Sequence, residues 1–117
     1  MIVTSSTGYA TPIFGVLTYS ATKRFVTHLS QGLNIEFDGK IDVMSFNPGY
    51  VKTKLIDDVK SQEGVLTCQK AVSKGFRDLG YEVISNGAFE HECVDFLLKS
   101  HLSSSVIKYD AKNIIKD

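Results

Sequence analysis

An α/β fold built on a parallel sheet is what this sequence predicts, and three observations carry the prediction. A short β-branched segment, Ile2-Val3-Thr4, gives way to the polar run Ser5-Ser6-Thr7-Gly8, as a strand does when it enters a loop. Helical spacing then places Phe25, Val26, Leu29, Leu33 and Phe37 on one apolar stripe. A compact apolar run at 41–46 follows and closes on Asn47-Pro48-Gly49. Such a run suits a strand covered on both faces. Strand, helix and strand joined by short connections are the grammar of a parallel α/β sheet.

The elements follow in order. Residues 9–18 read as a loop punctuated by Pro12 and Gly15. The first helix covers 19–37. Gly32 inside it costs about 1 kcal/mol relative to alanine, which suits close packing at that position. Asp38-Gly39-Lys40 ends the helix, glycine being a natural stop. After the strand at 41–46, residues 50–66 read as a loop with room for a short helix. Thr67 is a candidate N-cap for a second helix at 68–79, with Cys68, Val72, Phe76 and Leu79 as its stripe and Gly80 as its stop. Residues 82–85 suit a last strand, Asn86-Gly87 a turn, and 90–107 a third helix with Cys93, Val94, Leu97, Leu98 and Leu102 apolar.

Composition narrows the function classes. A chain of 117 residues, 43% hydrophobic and 22% charged, suits one globular domain. Thirteen basic and thirteen acidic residues are mixed along it. With no basic block to hold a phosphate backbone, nucleic acid is not an expected partner. Cys68 and Cys93 form no CxxC pair, so no metal site is expected; two buried free thiols are the default, and a disulfide stays open. No apolar run reaches the roughly 18–20 residues of a membrane span, and the first residues lack the pattern of a secretory leader.

Chemistry concentrates around Tyr19 and Lys23, which at i and i+4 share a helical face. A tyrosine with its ordinary pKa near 10 is a poor acid-base catalyst at neutral pH; bringing it close to 7 takes roughly 4 kcal/mol of extra phenolate stabilisation. A neighbouring ammonium supplies part of that. Ser6, after the first strand, is placed to donate a hydrogen bond to a carbonyl oxygen on which negative charge develops. Spacing alone is weak, since Tyr and Lys four apart occur by chance in many helices.

The surrounding residues add specificity. Residues 2–23, IVTSSTGYATPIFGVLTYSATK, resemble the active-site segment of the short-chain dehydrogenase/reductase family, with Ser6, Tyr19 and Lys23 on the family's Ser and YxxxK positions. Residues 47–53, NPGYVKT, resemble its PGxVxT motif. The resemblance implies a Rossmann-like, doubly wound parallel sheet, of which this chain supplies the last two or three strands and their helices. It implies Ser6, Tyr19 and Lys23 as the catalytic trio, and Tyr19, Lys23, Pro48, Gly49, Val51 and Thr53 as contacts of the nicotinamide end of NADP(H), with NAD(H) open. Residues 67–72 and 86–91 resemble the branch of very-long-chain 3-oxoacyl-CoA reductases and 17β-hydroxysteroid dehydrogenases. That branch implies a ketone or acyl-CoA substrate and association with the endoplasmic reticulum.

The family's glycine-rich pyrophosphate cradle does not occur in residues 1–117, so the chain reads as the C-terminal part of one domain without its dinucleotide-binding half. Two functions stay open on this basis. One is an NADP(H)-dependent ketone reductase completed by a partner chain or by self-association. The other is a non-catalytic structural or interaction protein on half of a reductase fold. Of the histidines, His28 reads as partly exposed, His91 as a structural or substrate-pocket residue, and His101 as surface. The stretch 88–102, with Phe89, Phe96, Leu97, Leu98 and Leu102, reads as ordinary packing, with a lid over a lipid-like substrate or a membrane-facing surface as alternatives.

Overall fold

A computed structural model of the protein describes residues 1–54 and 65–100. Strand β1 (Ile2–Thr4) leads through a 3-10 turn (Thr7–Tyr9) into helix α1 (Leu17–Phe37), then strands β2 (Met44–Phe46) and β3 (Val51–Lys52). Strand β4 (Leu66–Thr67), helix α2 (Cys68–Asp78), strand β5 (Ile84–Ser85) and helix α3 (Phe89–Lys99) follow. Strands β1, β2 and β5 form a parallel sheet in that order, with Ile2 opposite Met44 and Ser45 opposite Ile84. Strands β3 and β4 pair in parallel as a separate two-stranded unit. This is the α/β architecture that the strand-helix-strand order predicts.

Alternation along β2 sets the layers. Successive strand residues face opposite sides of a sheet. Ser45 meets Thr27 of α1, while Phe46 on the other side approaches Gly75 of α2. The sheet is therefore covered by α1 on one face and α2 on the other. A core of Met44, Phe46, Leu66, Ala71 and Ala88 sits on the α2 side, with Ile2, Val51 and Leu79 packed around it. Each large apolar side chain buried there contributes roughly 1.5–3 kcal/mol.

Local signals explain most boundaries. The Thr67 hydroxyl accepts from the Lys70 amide at 3.3 Å and caps α2 as expected. Asp38 and Gly39 take positive φ at the end of α1, as a left-handed stop requires. Other expectations need correction. The strand at 41–46 begins only at Met44, because its neighbour β1 is three residues long and pairing starts at the Ile2–Met44 register. Likewise 82–85 shortens to Ile84–Ser85, and the β3–β4 pair replaces part of the loop foreseen at 50–66. Helix α1 starts two residues early, at Leu17, and α3 ends at Lys99. Leu102, His101 and the rest of the expected 90–107 helix lie outside the described residues.

Burial reverses a larger expectation. Among the described residues much of the apolar stripes faces outward: Phe25 is 67% exposed, Val72 55% and Phe76 66%, while Val26, Leu33, Phe37 and Leu79 are half-buried. Phe89, Phe96 and Leu97 are also exposed, so these three side chains are not packed as foreseen for the stretch 88–102. The helices bury small and polar residues instead: Ser20, Thr27 and Ser30 on α1, Ala71, Gly75 and Asp78 on α2, His91 and Asp95 on α3. Cys68 and Cys93 are free and exposed, not buried, because both lie on these outward faces. Nothing packs within 4 Å of a methyl built at Gly32, so close packing does not account for that glycine. No described helix is long and apolar enough to cross a membrane.

Candidate active site

The C-terminal ends of β1 and β2 bring two loops side by side. Ser5 donates its backbone N–H to Phe46 at 2.8 Å, and Thr7 donates to the Pro48 carbonyl at 3.2 Å. The segment carrying Ser6 therefore lies directly against the Asn47-Pro48-Gly49 turn. Ser6 has extended backbone and caps the 3-10 turn, its Oγ accepting from the Gly8 amide at 3.2 Å. That bond uses an oxygen lone pair and leaves the hydroxyl proton to be donated.

Gly8 brings Ser6 and Tyr19 together. A methyl built there would sit 3.1 Å from Tyr19 Cε1 and 3.6 Å from Ser6 Oγ, so the Tyr19 ring and the Ser6 hydroxyl both border this glycine. Tyr19 lies in the first turn of α1 and is 46% exposed. One turn on, Lys23 places its Nζ 5.5 Å from the Tyr19 ring centroid. The start of α1 has no side-chain cap at Val16; instead Ser20, inside the YxxxK segment, donates to the Leu17 carbonyl at 2.9 Å and accepts from the Ile13 amide at 3.5 Å. All three residues singled out from the sequence thus gather at one edge of the sheet.

The turn after β2 is gripped from α3. Gly49 donates its N–H to His91 Nδ1 at 3.0 Å, and His91 is 3% exposed. A Cβ on residue 49 would meet the ring at 2.8 Å, so only glycine permits this approach. The same Nδ1 lies 3.3 Å from the Asn86 carbonyl, so the ring is held between the turn after β2 and the segment leading into α3. Pro48 and Val51 line an open apolar cavity of about 370 Å³ together with Ile2, Phe46, Ala71 and Val72. Thr53 is exposed. Of the two positions, Val51 continues into β3, where the Tyr50 carbonyl accepts from the Leu66 amide at 3.0 Å.

A second tie joins α3 to the Ser6 loop. Tyr9, 3% exposed, accepts at its Oη from Lys99 Nζ at 2.6 Å, and the same ammonium pairs with Asp95 at 2.6 Å. Burial pulls the Lys99 ammonium down, but its bonds to Asp95 and Tyr9 outweigh this and hold it above the usual lysine range. Lys99 also lies 4.9 Å from the Tyr9 ring centroid. On α2, a hydrogen bond from Arg77 holds the Asp78 carboxyl below the usual carboxylate range; burial opposes this, and the Ser85 hydroxyl at 2.6 Å supports it.

Periodicity points to none of Ser5, Tyr9, Thr27, Ser45, Asn47, Asp95 or Lys99. The available signal was compositional: polar residues recur opposite each apolar stripe. Among the described residues no cluster of three or more His, Cys, Asp or Glu could hold a metal ion.

Residues 1–64 match the family model described as short chain dehydrogenase. Over 107 residues, 90% of this chain, the sequence is 32% identical to a very-long-chain 3-oxoacyl-CoA reductase-B of Danio rerio. It is 31% identical to a very-long-chain 3-oxoacyl-CoA reductase of Anas platyrhynchos over the same share. In both cases the chain spans about a third of the relative, 34% of its length. A solved structure from work on 7β-hydroxysteroid dehydrogenase stereoselectivity shares the fold, with a TM-score of 0.74 at 24% identity. The match covers 92% of this chain and 46% of that one.

Proposed function

Because the chain belongs to the short-chain dehydrogenase family, we propose that Ser6, Tyr19 and Lys23 are the proton-donating centre of an NADP(H)-dependent reductase. The substrate class is a ketone, a 3-oxoacyl-CoA or a steroid-like one, in keeping with the names of the relatives. One observation carries the proposal: the Ser6 hydroxyl and the Tyr19 ring border the same glycine, with the Lys23 ammonium 5.5 Å from that ring.

When bound, the reduced nicotinamide supplies the hydride that reduces the ketone carbon. Tyr19 donates its phenolic proton to the ketone oxygen. Ser6 donates a hydrogen bond to the same oxygen as negative charge builds there. Lys23 stabilises the phenolate left on Tyr19 and would help to hold the nicotinamide ribose. Pro48, Gly49, Val51 and Thr53 are suited to hold the nicotinamide end: Pro48 and Val51 give an apolar wall, and the Thr53 side chain is open to solvent. The pyrophosphate falls to a dinucleotide-binding segment outside these residues, which form the C-terminal part of the domain. A partner chain or a second copy is the alternative source of that half.

The test is reduction of a 3-oxoacyl-CoA with NADPH or NADH by the longest polypeptide carrying these residues. Tyr19→Phe is expected to lower kcat by about 10²-fold or more, in the range of a lost acid catalyst. Intact turnover in that variant overturns the assignment. The outward faces of α1 and α2, with Phe25 and Phe76 more than half exposed, favour a second function as a non-catalytic interaction protein. A folded chain that binds neither nucleotide in calorimetry supports the second; micromolar binding of NADPH supports the first.

A further inference from the structure

Four buried polar side chains join the two halves of the candidate site. Ser5 ends β1 beside Ser6, Thr27 lies one turn beyond Lys23 on α1, Ser45 is in β2, and Asn47 opens the turn that leads to Val51. Their exposures run from 0% for Ser45 and Asn47 through 1% for Thr27 to 5% for Ser5. Buried polar groups cost stability unless they are hydrogen-bonded, and these bond to one another.

The geometry gives them a direction. Ser5 Oγ donates to the Lys23 carbonyl at 2.9 Å. A serine hydroxyl has one proton, so at the 3.0 Å contact Thr27 must donate to Ser5. Thr27 is then left to accept from the far side, where Ser45 Oγ and the Asn47 amide both lie at 3.4 Å. Ser45 Oγ and that amide are themselves 2.7 Å apart. With Asn47 Oδ1 facing the hydroxyls, the buried Nδ2 has no partner. Turning the amide over, since nitrogen and oxygen are assigned from their partners, gives Nδ2 the Ser45 hydroxyl as acceptor and moves Oδ1 to the position that lacked a partner. Donation then runs unbroken from Asn47 through Ser45, Thr27 and Ser5 to the carbonyl of Lys23.

We propose that this hydroxyl chain is a positioning device, with Thr27 its central link, that fixes the Ser6–Tyr19–Lys23 segment relative to the Asn47-Pro48-Gly49 turn. It acts through the backbone of Lys23 and of Ser5, whose neighbour is Ser6, and touches no substrate. The proposal rests on the reductase function proposed above and goes beyond it in naming the residues that hold the two motifs in register.

Thr27→Val keeps the volume and removes the hydroxyl. It is expected to lower kcat for ketone reduction about tenfold or more, as small misplacements of reacting groups do, while KM for NADPH changes less than about threefold. Thr27→Ser restores kcat. Ser45→Ala cuts the chain one link away and gives the same pattern if Thr27→Val does not fold. A variant that melts earlier but keeps kcat overturns the proposal, since packing alone would do that. If the wild type reduces no ketone, the reductase assignment fails instead, and amide hydrogen exchange decides the positioning claim. Faster exchange in Thr27→Val at both Thr7 and Gly49, with α2 unchanged, upholds it. A uniform change, or none, overturns it.

Discussion

Against the sheet, α1 buries Ser20, Thr27 and Ser30, whereas its outward side carries Phe25 at 67% exposure and Leu29 at 48%. Helix α2 repeats the contrast, with Asp78 inside and Phe76 outside, and α3 repeats it again with His91 and Asp95 inside and Phe96 outside. The inner region is polar and mostly hydrogen-bonded: its hydroxyls and imidazole have partners at hydrogen-bond distance, while Asn47 Nδ2, Asn86 Oδ1 and Asp95 Oδ1 are buried without one. The outer region is apolar and largely exposed, although Val72 and Phe76 also line the open cavity beside Ile2 and Phe46. An amphipathic helix ordinarily turns its apolar stripe toward the core. Here the stripes mark faces that residues 1–54 and 65–100 do not cover, in a chain spanning 34% of its curated relatives.

Breaking the inner region is expected to cost most at Gly87. Its φ of +76° and the 2.6 Å approach of a built Cβ to the Phe46 ring mean that Gly87→Ala combines left-handed strain with overpacking. A loss of about 2–4 kcal/mol in urea denaturation is expected. Next comes Ser85→Ala, which takes a buried donor from the Asp78 carboxylate and is expected to cost about 1–2 kcal/mol at pH 7. Asp78 titrates below its ordinary value when folded. Its contribution is therefore fully present above the unfolded value near 4 and fades as pH falls through the folded value. The difference between wild type and Ser85→Ala narrows over the same interval.

Lys99→Met tests the tie between α3 and the Ser6 loop. The side chain is 45% exposed, so solvent screening holds the expected loss in thermal or urea melts to about 1 kcal/mol. The folded ammonium titrates higher than in the unfolded chain. That stabilisation is fully present below the unfolded lysine value and is lost as pH rises through the folded one. The outer region sets the other extreme: Phe25→Glu and Phe96→Glu are each expected to change stability by less than about 0.5 kcal/mol. The same pair is expected to reduce self-association in light scattering. A large destabilisation would mean that those faces are already covered within the chain.

Much of the fold was legible because its signals are local. The 3.6-residue period marked α1, Thr67 and Gly39 marked a helix start and a helix stop, and the apolar run before Asn47-Pro48-Gly49 marked β2. Strand lengths were less legible, since each strand extends only as far as its neighbour pairs with it. Ser6, Tyr19 and Lys23 stood out through their order and their flanking residues. Thr27 and Ser45 did not, because a buried hydroxyl looks like a surface one until its partners are known.

The sequence by itself determined the order of elements, the caps and turns, and the presence of the Ser6, Tyr19 and Lys23 side chains at spacings that a short segment can bring together. Tertiary structure alone decided which face of each helix turns inward, that His91 reaches Gly49 across 42 positions, and that Lys99 reaches Tyr9 across 90. The physical reason is that periodicity records only that a face is apolar. Whether that face is buried depends on the surface opposite it, and contacts between distant residues leave no trace in the local pattern.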